Sequence, residues 1–282
     1  MSVELVIGEV PADSKSRISA VPGRGTLAGI LRSIGLTLCG IGALLVVWSF
    51  GGWVIAMNPS TAAFANFAPE PTFARLVQMV QNGEASRMTL PSLGRIIAGM
   101  AWAIALGIPL GILVGRFRVM REASTVPFQF LRMISPLAWM PIAVMAFATW
   151  NRAIIFLVAI ASVWPVLFST AHGVRRIDPA WFRVARNLGA RPWHMLFVII
   201  LPAIAQDTLT GVRLALGVAW VVLVPAEFLG VTSGLGYAIN DARDTLEYDR
   251  LAATVLIIGV IGYSIDFACQ KLIAHLSWFR ED

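Results

Sequence analysis

Along the chain, long apolar runs alternate with short polar segments. Six runs are long enough to cross a bilayer as helices, which takes about 20 residues each. They extend from about Leu27 to Ile55, Leu93 to Val114, Val126 to Thr149, Ala153 to His172, Ile204 to Leu229 and Leu251 to Ile273. Several contain Gly107, Pro109, Pro136, Pro141 or Pro165, residues that packed membrane helices tolerate better than soluble ones. Gly107, Gly111, Gly211 and Gly217 are expected to let helices approach closely. Between the first two runs, "TFARLVQMVQNG" sets Phe73, Leu76, Val77 and Val80 on one helical face. It predicts either a short helix on the outer surface or a packed linker.

The polar segment before the fifth run is unusual. "RRIDPAWFRVARNLGARPWHMLFVIILPAI", from Arg175 to Ile204, is crowded with arginine in its first half. Asp178 before Pro179 predicts a helix start, because Asp accepts bonds from free amides and Pro suits the first turn. The helix should run through "AWFRVARNL" until Gly189 allows a break. "RPWHMLFVIIL" then begins a second helical stretch, which Pro202 should interrupt. The first helix is expected to expose Trp181, Phe182 and Leu188 beside Arg183 and Arg186. Bulky apolar residues on a surface helix imply a partner.

Composition places the chain in the membrane class: 57% of its 282 residues are hydrophobic and 13% charged, with mean hydropathy +0.75. The net charge of +6 does not indicate nucleic acid. Its basic residues fall in short clusters between apolar runs, as cytoplasmic loops do. Lys15, Arg17, Arg24 and Arg32 lie on one side, with Arg116, Arg118 and Arg121, the Arg175–Arg191 segment, Lys271 and Arg280. In the opposite loops acids match or outnumber bases, except in the short Asn151-Arg152 turn. The positive-inside rule therefore places both termini and the arginine-rich segment in the cytoplasm. The start, "MSVELVIGEVPADSKSRISAVPGRG", reads as a cytoplasmic tail rather than a secretory signal. Cys39 and Cys269 lie in apolar runs without metal-ligand spacing and are expected to fill space.

The spacing in the arginine-rich segment resembles the signature of binding-protein-dependent ABC transporter permeases. In that pattern "EAA" is followed after three residues by Gly, then after nine by I-x-L-P. Gly189, Ile199, Leu201 and Pro202 stand at those positions. The triplet is Arg183-Val184-Ala185, so only its last alanine is kept. The continuation "TGVRLALGVAWVVLVPAEFLG" is similar to the nitrate, bicarbonate, sulfonate and taurine branch, and the resemblance runs from about Ser92 to the C-terminus. "LRMISPLAWMPIAV" and "AIASVWPVLFSTAHGVRRI" narrow it to permeases for nitrate, nitrite, cyanate and bicarbonate.

The resemblance implies an all-α integral membrane protein with the type I ABC importer permease fold and a cytoplasmic coupling helix at about 178–190. Residues 1–26 and 276–282 would be cytoplasmic tails. Residues 27–92 would hold the first crossing and the external segment, and 93–275 the permease core. Two permease copies, expected to be a homodimer, would each offer Trp181, Phe182, Arg183, Val184, Ala185, Arg186, Leu188 and Gly189 to an ABC ATPase subunit. An external solute-binding protein would deliver the solute, docking in part on Val231–Arg250. The chain has no G-x-x-x-x-G-K-[ST] loop, so ATP and magnesium are expected on the partner and no cofactor on this chain. The favoured cargo is a small oxyanion; taurine or another sulfonate is the alternative within the family. An ion-coupled secondary transporter would need coupling carboxylates or broken helices in two related halves, and no convincing repeat is evident. His172, His194 and His275 are scattered without an H-E-x-x-H, which leaves no catalytic or metal site.

The expected pathway residues are Gln129, Arg132, Ser135, Trp139, Trp164 and Glu227. Arg132 lies about two turns inside the third crossing, where an unpaired charge costs roughly 2.5–3.5 kcal/mol. It either offers its planar fork of donors to an anion or snorkels to the cytoplasmic interface. Gln129 and Ser135 are neutral donors nearby. Trp139 and Trp164 either wall the passage or pack. Glu227 falls near the external end and suits a structural or gating role at the outer mouth. Arg213 lies nearly four turns from Glu227 on the same helix, too far to pair with it. Asp207 and Asp266 are expected to bond neighbouring helices or face water.

Overall fold

Residues 27–58 and 60–277 are described by the computed structural model of the chain, and every regular element among them is helical. Two compact units divide at Gly51/Gly52. The first is carried by α1 (Leu27–Met57), a long apolar helix. Of the two expected tails, only residues 276–277 are described, and they continue the last helix.

The second unit begins with the end of α1 and a 3-10 turn (Ala62–Phe67), followed by α2 (Pro69–Gln81), α3 (Glu84–Arg116) and α4 (Arg118–Met133). A 3-10 turn (Pro136–Trp139), α5 (Met140–Ala146) and α6 (Trp150–Arg176) come next. Then follow α7 (Pro179–Asn187), the single turn α8 (Pro192–His194), a π-helical turn (Met195–Ile200) and α9 (Leu201–Gly230). The chain closes with α10 (Leu235–Asp244) and α11 (Tyr248–Ser277). Among the described residues, five stretches are long and apolar enough to cross a membrane: Leu31–Met57, α3, α6, Pro192–Gly230 and Tyr248–His275.

The third expected crossing differs. Instead of one helix over Val126–Thr149, α4 and the Pro136–Ala146 segment meet at 88° and count as a sixth span only as a bent pair. The break has a local cause. Pro136 has no amide hydrogen and forces the residue before it out of the helical region. Ser135 has ψ 128° and Ile134 ψ 126°.

The core forms where α3 and α6 lie in parallel. Gly99, Ala103, Gly107, Gly111 and Gly115 repeat every fourth residue and make a smooth stripe on α3. Val158, Val166, Thr170 and Val174 of α6 press on Gly99, Gly107, Gly111 and Gly115 at a constant offset in sequence. A methyl group on Gly99 would come within 2.5 Å of Val158, and one on Gly111 within 2.7 Å of the Leu167 carbonyl. Small residues are what let membrane helices reach this separation. Helix α9 packs antiparallel on α6, with Gly211 against Ser169 and Gly173 against Asp207. Ile154, Leu157, Ala215, Ala219 and Leu223 fill the space between them. Gly217, expected to serve the same purpose, has open space around it instead.

Two smaller clusters hold the ends. Met79 of α2, Met88 of α3, Leu235 and Ala238 of α10, and Ala253 and Ile257 of α11 form one. The face of α2 differs from expectation: Thr72 and Met79 are buried, whereas Phe73, Val77 and Val80 are exposed. Arg250 ties this end together, bonding Glu84 at 2.7 Å, Asp241 at 2.7 Å and Glu247 at 3.1 Å. At the opposite end, Val174, Ile177, Phe182, Ile200 and Ile204 form the third cluster.

Pro202 does not interrupt the helix that precedes it. A proline ring clashes with the carbonyl four residues back in an α-helix. Here the preceding turn widens to π geometry, and the Leu201 amide donates five residues back to the Leu196 carbonyl. The segment therefore runs continuously from Pro192 to Gly230.

Candidate functional site

Helix α7 starts and stops as its sequence directs. The Asp178 carboxylate accepts from the Ala180 amide at 2.7 Å, with Pro179 in the first turn. At the other end Gly189 adopts φ +74°. The Gly189 amide donates to the Arg186 carbonyl at 3.0 Å and the Ala190 amide to the Ala185 carbonyl at 2.9 Å. This paired closure needs a residue that tolerates the left-handed region.

The two faces of α7 do different things. Phe182 and Ala185 point inward and are buried. The Phe182 ring sits among Val174, Ile177, Ile200 and Ile204, with the Arg116 guanidinium 4.8 Å from its centroid. Phe182 is thus an anchor, not an exposed contact as its position in the segment suggested. Trp181, Val184 and Leu188 form the outward stripe, Leu188 at 82% exposure. Arg183 and Arg186 are also exposed, and the Arg186 Nε donates back to the Phe182 carbonyl.

Inside the helical assembly, a cavity of about 490 Å³ opens beside the break between α4 and α5. Arg132, Trp139, Trp164, Phe168 and Ser169 are among its lining residues. The Arg132 guanidinium lies 5.2 Å from the Phe168 ring centroid, and Trp164 packs against Phe128 and Phe168. Ser135 stands at the break itself, its carbonyl accepting from the Ala138 amide at 2.9 Å. Its neighbours Ile134 and Pro136 line the cavity. Gln129 lines a second cavity, of about 370 Å³, which shares Arg132 and Phe168 with the first.

Glu227 lies elsewhere. It is fully buried, in an ion pair with Arg95 of α3, and borders neither of these cavities. The Ser92 hydroxyl lies within 2.9 Å of both carboxylate oxygens, and the Gly236 amide donates to one at 3.0 Å. Arg95 also donates to Asn151 Oδ1 at 2.8 Å, the Ser233 carbonyl at 2.8 Å and the Ser233 hydroxyl at 3.0 Å. Between these groups Gly234 adopts φ +113°, and a methyl group there would meet Glu227 and Arg95 at 2.5 and 2.6 Å. Arg213 instead pairs with Asp266 of α11 at 2.9 Å, and Asp207 lies 3.7 Å from Arg176 of α6. The Val231–Arg250 stretch holds a helix whose Leu235, Gly236, Ala238 and Ala242 are buried, with charge at its end.

Residues 107–276 match the family described as the binding-protein-dependent transport system inner membrane component. The chain belongs to this family. The bicarbonate transport system permease protein of Synechococcus elongatus is 36% identical over 86% of this chain and 88% of its own length. The corresponding bicarbonate permease protein of Synechocystis sp. is 39% identical over 66% of this chain and 68% of its own. A nitrate import permease protein of Leptolyngbya laminosa is 35% identical over 61% of each. Among solved structures, a chain of the MetNI methionine ABC transporter in an inward-facing conformation has TM-score 0.54 at 16% identity. That match covers 66% of this chain and 92% of the other, and shows the type I importer permease fold. The chain is therefore a multi-pass inner-membrane permease of an ABC transporter.

Arg95 and Ser92 were the residues that sequence reading passed over. The signal was present: Arg95 is an arginine inside an apolar run, and such a charge needs a partner.

Proposed function

We propose that this permease is the membrane-spanning subunit of an ATP-driven importer that carries a small oxyanion, of the bicarbonate or nitrate type, into the cytoplasm. Two copies pair, and each presents α7 to an ATPase subunit. ATP and magnesium bind on the ATPase, whose closure moves α7 and switches the open side of the pathway. A solute-binding protein delivers the anion at the outer face, in part on Val231–Arg250. Both termini and α7 lie in the cytoplasm, with residues 1–26 and 276–282 as tails. Residues 27–92 carry the first crossing and external segment, and 93–275 the permease core.

The observation that carries the cargo assignment is Arg132 at the wall of the cavity of about 490 Å³, beside Trp139 and Trp164. A guanidinium with no ion-pair partner among the described residues, set against aromatic walls, suits a planar or compact anion. Gln129 and Ser135 are neutral donors close to the same route. The relatives named for bicarbonate and nitrate support this choice. The outward Trp181–Val184–Leu188 stripe supports the coupling role, since an exposed apolar strip flanked by arginines is suited to a protein partner.

The test is reconstitution of the permease with its ATPase and binding protein in proteoliposomes. Uptake of nitrate, nitrite, cyanate, bicarbonate and taurine is measured with and without ATP. ATP-dependent accumulation of one or more oxyanions, lost when the ATPase is omitted, is expected. Taurine uptake alone would move the cargo to the sulfonates. Transport by the isolated permease on an ion gradient would make it a secondary transporter instead.

A further inference from the structure

The second cavity has a charge pattern that the pathway through Arg132, Trp139 and Trp164 does not use. It lies between α4 and the last turns of α6, with Arg121, Arg132, Arg175 and His172 among its lining residues, and Ser124 and Gln129 as neutral donors. Neighbouring arginines have acidic partners: Arg118 bonds Glu122 at 2.6 Å, and Arg176 lies 3.7 Å from Asp207. Arg121, Arg132 and Arg175 form no ion pair among the described residues. Three arginines thus line one cavity of about 370 Å³ without an ion-pair partner among the described residues.

Like charges at one concave site repel one another, and low-dielectric walls focus their field. An anion relieves that repulsion. The available space suits a small oxyanion, and Ser124 and Gln129 can donate to oxygens that the arginines leave free. Because Arg132 and Phe168 line both cavities, an anion leaving the first meets this cluster next.

We propose that Arg121, Arg175, Gln129 and Ser124, with Arg132 at the boundary, form a separate anion-binding vestibule at the inner mouth of the permease. Its ligand is the transported oxyanion on its way to the cytoplasm, so the identity of the ligand rests on the proposed anion import. A phospholipid headgroup has the same anionic chemistry, and the experiment separates the two sources.

The test uses the assembled transporter in nanodiscs, with both faces open to solution. Cys39 and Cys269, the two native cysteines, are replaced by Ala, and Ser124→Cys supplies the probe thiol; Thr125→Cys, on the same wall, serves if the first variant does not assemble. Rates of modification by an anionic and a cationic methanethiosulfonate are compared in neutral lipid at constant ionic strength. The anionic reagent should be favoured by about tenfold, the lower end of such field effects. Nitrate or bicarbonate should slow it several-fold, and Arg121→Gln with Arg175→Gln should remove both effects. Equal rates for the two reagents would overturn the proposal. So would protection by anionic lipid but not by nitrate or bicarbonate. Wild-type uptake is measured in parallel. Uptake without protection defeats the vestibule alone, whereas protection without uptake of any oxyanion supports the vestibule and defeats the transport reading.

Discussion

Arg95 of α3 and Glu227 of α9 form a buried ion pair around which the chain after α9 is folded. The carboxylate is held by Ser92 and the Gly236 amide, and the guanidinium by Asn151 and Ser233. One network thus joins α3, α6, α9 and the turn into α10. Removing one member of a buried pair leaves an uncompensated charge, which typically destabilises by roughly 3–5 kcal/mol. Glu227→Ala is therefore expected to lower the melting temperature of the purified subunit sharply. Glu227→Gln, which keeps part of the hydrogen bonding, should lower it less. A Glu227→Ala protein that melts with the wild type would show that the network holds nothing together.

Helix α7 allows its surface and its anchor to be separated. Trp181→Ala with Leu188→Ala removes two outward side chains and leaves the buried face intact. The subunit should melt normally, yet retain its ATPase partner at least tenfold less well and lose ATP-driven uptake. Phe182→Ala instead opens the apolar cluster beneath the helix and should destabilise by about 3–5 kcal/mol, the usual range for a buried Phe. Pull-down and melting measurements on both variants check the division. Equal partner retention by the Trp181/Leu188 double variant and the wild type would remove α7 from the coupling surface.

Two glycines predict opposite responses to one added methyl group. At Gly111 the methyl would collide with the Leu167 carbonyl and Thr170. Gly111→Ala should destabilise the subunit by about 1–3 kcal/mol, as overpacking does. At Gly217 nothing lies within 4 Å, so Gly217→Ala gains helix propensity of up to about 1 kcal/mol and meets no clash. Thermal melting of the isolated subunit reads both. A loss at Gly217 would contradict the open space around it on α9, and no loss at Gly111 would contradict the packing described between α3 and α6.

What could be read from the sequence follows from which forces act locally. Apolar run length was enough to find five spans, and the Asp178-Pro179 start and Gly189 stop of α7 are set by side-chain and backbone chemistry within a few residues. Facing directions were harder. Phe182 and Leu188 are equally apolar, and only the position of Ile200 and Ile204, beyond the next turn, decides which is buried. The face of α2 differs for the same reason: Met79 packs with residues of α10 and α11, far along the chain, as well as with nearby Met88. Pro136 and Pro202 look alike as helix breakers. The first breaks its span, whereas a widened turn accommodates the second. The partner of Glu227 lies 132 residues away, beyond the reach of any spacing argument. Residue type nonetheless placed Arg132, Trp139 and Trp164 among the pathway candidates, and all three line one cavity.

Arg132 gives the sharpest test of the pathway. If it meets the passing anion, Arg132→Gln replaces a charged fork with a neutral amide. Hydrogen bonds to charged groups contribute about 1.5–3 kcal/mol, so uptake should fall by about ten- to a hundredfold. The solute arrives on a separate binding protein, so the loss is expected in turnover rather than in half-saturation. Arg132→Lys keeps the charge without the planar fork and should recover only part of the rate. ATP hydrolysis by the assembled transporter distinguishes this from collapse of the site, because Arg132 lies against Phe168, whereas α7 is anchored through Phe182 on Val174, Ile177, Ile200 and Ile204. Hydrolysis that continues while uptake falls is the expected result. If uptake by Arg132→Gln matches the wild type, the guanidinium serves only to pack on Phe168 and reach the membrane interface.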